Sequence, residues 1–128
     1  LMRSSAASDV YKRQELTDTA EEAARRAAAN RFFPLEKGCF APRRTISRQE
    51  MATVAMQACG VNYRNASSTM PVCTDVDRVA NNYGTNAARA LYFGFMQLEA
   101  DGRFDPERPV SRKEAVEILD RVADFAGL

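Results

Sequence analysis

A thirteen-residue pattern occurs twice in this chain and limits its folds more than any other feature. It reads Gly38-Cys-Phe-Ala-Pro-Arg-Arg-Thr-Ile-Ser-Arg-Gln-Glu50, and again Gly102-Arg-Phe-Asp-Pro-Glu-Arg-Pro-Val-Ser-Arg-Lys-Glu114. Seven of the thirteen positions are identical at an offset of 64 residues, where chance at ordinary residue frequencies gives roughly one. A repeat at this period means a supersecondary unit used more than once.

Each copy has the same physical grammar. Gly38 and Gly102 allow a left-handed turn. Phe40 and Phe104 are large enough to pin a loop to a core, and Pro42 and Pro106 bar helix within it. Ser47 and Ser111 stand three residues before Glu50 and Glu114, the spacing of a capping box. Each copy is therefore a loop that ends by starting a helix. Arg48 and Arg112 take the first helical position, at the partly positive end of the helix dipole.

In these residues the chain resembles the S-layer homology repeat of bacterial cell-surface proteins. That repeat joins a Gly-x-Phe-x-Pro turn to a helix start, here Ile46-Ser-Arg-Gln-Glu50 and Val110-Ser-Arg-Lys-Glu114. Thr74-Asp75-Val76, with Tyr83 eight residues after the Asp, resembles the opening of a complete repeat. The first copy has Thr17-Asp18 but lacks about six residues of the segment that follows. The resemblance implies an all-α fold of tandem helix–loop–helix units, two of them visible, from a family that commonly groups three about a pseudo-threefold axis.

The chain divides accordingly. Residues 1–14 match nothing downstream and resemble translated adapter sequence, so they are expected to lie outside the domain. Residues 15–60 read as a first repeat with a divergent start, 61–73 as a polar linker, and 74–128 as a second repeat. Alanines at helical spacing predict a helix over 15–31. Helices are expected over 48–59, ended by Gly60, over 86–93 after a break at Gly84, and over 111–125. In the last, Ala115, Ile118, Leu119, Val122 and Phe125 are expected to face inward. A second identity block, at an offset of 63, matches Ala24, Ala27, Phe32 and Leu35 to Ala87, Ala90, Phe95 and Leu98.

Composition excludes several function classes. The formal net charge is +1; without residues 1–14 it is −1. A near-neutral chain with no basic block is a poor nucleic-acid binder. No run of about 20 apolar residues is present to span a membrane. The three cysteines form no Cys-x-x-Cys pair and there is no histidine, so neither a metal site nor a cofactor is expected. A Cys59–Cys73 bridge across the linker is compatible with export; three partly buried thiols is the simpler reading. Ser111 has no base to make it a nucleophile, and the chain is not expected to be an enzyme.

Arg48 and Arg112 remain. An arginine at a helix start is suited to a carboxylate-bearing ligand, because its planar fork matches the anion and the helix end adds N–H donors. The resemblance implies that this arginine contacts an acidic, often pyruvate-bearing, cell-wall polysaccharide, with Ser47 and Ser111 beside it. Glu50 and Glu114 are expected to complete the boxes. The implied function is attachment of a larger exported protein to the cell envelope, its export signal lying outside this sequence. Another repeat or a second copy is an expected partner. The competing reading is a helical protein-interaction module that binds no glycan.

Overall fold

A computed structural model describes residues 18–29, 37–38, 43–60 and 68–127. It is all-α, with four helices and one short 3-10 turn among the described residues. They are α1 (Asp18–Ala29), α2 (Arg48–Cys59), the turn Val76–Arg78, α3 (Gly84–Tyr92) and α4 (Arg112–Ala126). The chain forms two compact units, Leu1–Arg44 and Thr45–Leu128. The division falls inside the stretch read as the first repeat, so α2 shares a compact unit with residues 74–127. The leader, Phe40, Pro42 and Cys39 lie outside the described residues.

In the first unit, α1 follows its alanine content. Glu21 pairs with Arg25 and Glu22 with Arg26, each one turn apart, and such exposed pairs add only a few tenths of a kcal/mol. Ala24 is buried. Gly38 adopts φ +77°, as its counterpart Gly102 does at +84° in the second unit; only glycine takes this conformation without strain.

The second unit is built around α2. Met51, Ala52, Val54, Ala55, Met56 and Cys59 are all buried, together with Arg48 and Glu50. Burial over so wide a face of the helix is possible because α2 packs against both α3 and α4, and Gln57 marks the side left exposed. From α3 come Ala87, Ala88 and Ala90, whose small side chains let the helices approach closely; from α4 come Ile118 and Val122. Phe95, Met96, Phe104 and Pro106 fill the space between helices and loops. Phe104 thus pins its loop as the sequence suggests. Asn86 donates from α3 to Thr53 on α2 at 3.2 Å.

Two sequence expectations need correction. Gly84 does not break helix but opens α3, with Tyr83 at its N-cap position. Leu119 and Phe125 are not core residues, being 41% and 48% exposed. The burial of α4 is confined to the narrow strip of Ile118 and Val122, and Leu119 lies beside it. Phe125 touches Phe93 and Phe95 edge-on but keeps its outer half in solvent. Cys59 and Cys73 are separate thiols.

Asp75 holds the second loop in place. It is buried, and its two carboxylate oxygens accept from the Phe104 and Asp105 N–H groups, both at 2.8 Å. This clamp fixes Asp105 in a left-handed conformation, φ +57°, which Asp tolerates better than most residues. Thr74 N–H donates to the Gly102 carbonyl beside it. Burial alone would push the Asp75 carboxyl up, but the two N–H donors outweigh it and hold the group below its ordinary value, with the Cys73 thiol helping. A depressed carboxylate adds stability at pH values above its unfolded pKa and loses it as pH falls through the folded one. We therefore expect thermal stability to decline below about pH 4. Asp75→Ala should cost about 2 kcal/mol at neutral pH by stranding the two N–H groups and should make that decline shallower. A melt series against pH on both proteins checks it.

Candidate functional site

The two motif arginines begin helices of the same unit and meet opposite fates. Arg48 is 4% exposed. Its Nε donates to the Phe104 carbonyl at 2.6 Å, one Nη to the Gln97 carbonyl at 2.6 Å, and the other to Glu114 at 3.0 Å. The guanidinium also lies over the Phe104 ring, 5.1 Å from its centroid, within cation–π range. All three nitrogens are committed inside the chain. Sequence reasoning assigned Arg48 to a ligand; the structure gives it an internal role.

The start of α2 is equally occupied. Ser47 Oγ accepts from the Glu50 N–H, and the Glu50 carboxylate accepts from the Ser47 N–H at 2.9 Å, which completes the capping box. Arg48 N–H donates to the Arg108 carbonyl and Gln49 N–H to the Pro106 carbonyl, both at 3.0 Å. Val110 N–H returns a bond to the Ile46 carbonyl at 2.8 Å, and Ser47 and Pro109 form an antiparallel bridge. The N–H groups that a helix start leaves unsatisfied are thus taken by Ser47 and the second loop. No donor at this end remains for an anion, and Ser47 serves as a cap.

At the second motif the box is only half formed. Ser111 Oγ accepts from the Glu114 N–H at 3.1 Å, but the Glu114 carboxylate turns to Arg108 and Arg48 instead. Arg108 grips it with two prongs, at 2.8 and 3.2 Å, and also binds Glu99 at 2.8 Å. Charge-assisted bonds are roughly twice as strong as a neutral one, so two guanidinium groups outcompete one exposed N–H. Burial pushes the Glu114 carboxyl up, yet the bonds and charge of Arg108, with the charge of Arg48, hold it below its usual range; the nearby Ser111 N–H adds a weaker pull. This network is what spacing alone could not disclose. A cleft of about 170 Å³ opens beside Arg48, walled in part by Glu99, Glu114, Glu117 and Arg121. Three carboxylates make it a poor receptor for an acidic ligand.

Arg112 is exposed, and its guanidinium has no partner among the described residues. The backbone N–H groups of Arg112 and Lys113 have no partner among the described residues either, and Lys113 adds a second exposed cation, 4.0 Å from Glu117. The first turn of α4 therefore offers two cationic side chains and two unspent N–H donors on one surface. In the same unit Asp75 clamps the loop that holds Gly102, Phe104 and Pro106, and Tyr83 stands at the N-cap position of α3.

Among the described residues no group of Cys, Asp and Glu could hold a metal ion, and no helix is long and apolar enough to cross a membrane.

The Arg48 cage makes a stability prediction. Arg48→Ala should cost about 3 kcal/mol or more, because it strips Glu114 of one buried partner and leaves the Phe104 and Gln97 carbonyls without donors. Glu114→Ala should cost more than Ser111→Ala, whose loss is that of one cap bond, about 1 kcal/mol. Chemical denaturation of the three variants gives the order directly.

Residues 74–116 match the family model of the S-layer homology domain. The match runs from the Thr74-Asp75 opening, through the clamped loop, into the first turns of α4. No curated protein and no solved structure matches the chain.

Proposed function

We propose, taking the S-layer homology domain at residues 74–116 as the premise, that this chain attaches a larger exported protein to the bacterial cell surface without a covalent bond. The family is one of non-catalytic cell-wall anchors, and its members bind cell-wall polysaccharide. The finer reading is that the ligand is an acidic glycan of the pyruvylated type, met at the N-terminus of α4. The observation that carries it is the contrast between the two arginines. Arg48 spends its nitrogens inside the fold, whereas Arg112 presents, beside Lys113, a fork and two N–H groups that have no partner among the described residues. Ser111 sets the angle of that turn as its cap. A carboxylate docking there would gain a two-pronged bond from Arg112 and the favourable end of the helix dipole.

One such turn among the described residues supports one glycan site rather than two. The competing reading, an interaction module without glycan binding, draws support from the exposed apolar side chains of α4.

Arg112→Ala should leave stability within about 0.5 kcal/mol of the parent, as exposed substitutions usually do. Its affinity for purified acidic cell-wall polysaccharide should fall about ten- to a hundredfold, the worth of a charge-assisted bond. Arg112→Lys should recover part of the loss, since an ammonium cannot form the fork. Polysaccharide stripped of its acidic substituents should bind the parent and Arg112→Ala equally weakly. Binding by Arg112→Ala equal to the parent on the intact glycan would overturn the assignment.

A further inference from the structure

The two copies of the motif hold their glutamates in different arrangements. Glu50 accepts from the Ser47 N–H at 2.9 Å and closes its box. Glu114 stands at the same position of the second copy and makes no such bond. Its carboxylate is gripped by Arg108 at 2.8 and 3.2 Å and by Arg48 at 3.0 Å. The Ser111 N–H lies near enough to pull on the Glu114 carboxyl, yet it has no hydrogen-bond partner among the described residues. One chain thus shows both resting places of the same side chain, the box and the cage.

Arg108 is what selects the cage at the second copy. Arg48 engages only one carboxylate oxygen of Glu114, Oε2. Arg108 shares Oε2 and also takes Oε1, the oxygen that would otherwise be left for the Ser111 N–H. Its fork is set in advance, because two of its nitrogens are held on Glu99, at 3.0 and 2.8 Å. With Oε1 engaged, the N–H groups of Ser111, Arg112 and Lys113 all keep no partner among the described residues. Closing the box would spend the first of them and bring a negative charge onto the turn whose dipole favours anions.

We infer that Arg108 is the positioning residue of this turn: by holding Glu114 in the cage, it keeps the capping box of α4 open and the start of the helix clear for an anion. Glu114 is the gate, and its closed state is the box that Glu50 forms in the first copy. The open box stands on the hydrogen bonds alone. Its use for an acidic glycan rests on the reading of Arg112 given above.

Amide hydrogen exchange, followed residue by residue by NMR on the full chain, tests the gate without a ligand. In the parent, and after correction for local sequence, the Ser111 N–H should exchange about tenfold or more faster than the bonded Ser47 N–H. Arg108→Gln should slow Ser111 about tenfold, as Glu114 turns to it. Arg108→Lys should slow it as well, since an ammonium keeps the charge but not the two-pronged grip. Arg108→Gln/Glu114→Ala should return it to the parent's rate, because no carboxylate is left to close the box. Thermal melts verify that each variant is folded. Titration with purified acidic cell-wall polysaccharide follows. Both single Arg108 variants should bind about tenfold more weakly than the parent, although Arg112 is untouched. A parent Ser111 N–H as slow as that of Ser47 overturns the gate, and so does a rate unchanged in folded Arg108→Gln and Arg108→Lys. If exchange shifts as expected while the parent and Arg112→Ala bind the glycan alike, the glycan reading falls and the gate stands. If Arg112 carries the binding and both Arg108 variants bind like the parent, the positioning role of Arg108 is overturned.

Discussion

A single buried guanidinium holds the second compact unit together. Arg48 leaves water at a cost of several kcal/mol for a desolvated ion, and that cost is offset only because its acceptors are placed in advance. Two are backbone carbonyls, of Gln97 and Phe104, and the third is Glu114 on α4. Through these bonds one side chain on α2 fixes the loop after α3, the clamped loop behind it and the start of α4. A lysine could not replace it, since an ammonium has no planar fork to reach acceptors in three directions. Glu114 is secured from outside by Arg108, which is itself tied to Glu99, so the cage resists opening from the solvent side.

The two copies of one motif have different surroundings. Both read Ser-Arg-x-Glu, yet the first is absorbed into the fold and the second faces outward. What separates them is position in the assembly. The start of α2 lies against a following loop that takes its N–H groups and its arginine, and no such loop lies against the start of α4 among the described residues. The same chemistry that makes Arg112 suited to an anionic ligand makes Arg48 suited to a ring of carbonyls.

Much of the local structure is legible from the residues. The left-handed glycines at 38 and 102, the serine caps, the range of α2 and the pinning role of Phe104 follow from short-range rules of turn and cap geometry. The features that escaped are those decided by distant neighbours. Glu114 has the right spacing for a box with Ser111, but two arginines, one of them 66 residues away, draw it off. Leu119 lies at helical spacing from Ala115 and Val122, and periodicity alone could not tell a one-sided from a two-sided burial of α4. Arg48 and Arg112 share the Ser-Arg-x-Glu pattern, so that pattern alone could not separate them. Asp75 was legible as part of a motif, but its grip on the Phe104 and Asp105 N–H groups depends on a contact spanning about thirty residues.

The separation in sequence between Arg48 and its acceptors also has a meaning in time. Arg48 and the Phe104 carbonyl are 56 positions apart in the sequence. A chain made from its N-terminus at roughly 5–20 residues per second exposes α2 for a few seconds before that acceptor is synthesised. During this interval the helix start has its own box from Ser47 and Glu50, but its arginine and its first N–H groups have only water. The complete capping box stands at the helix that must wait, and the half-formed one at the helix made last, whose Glu114 completes the cage.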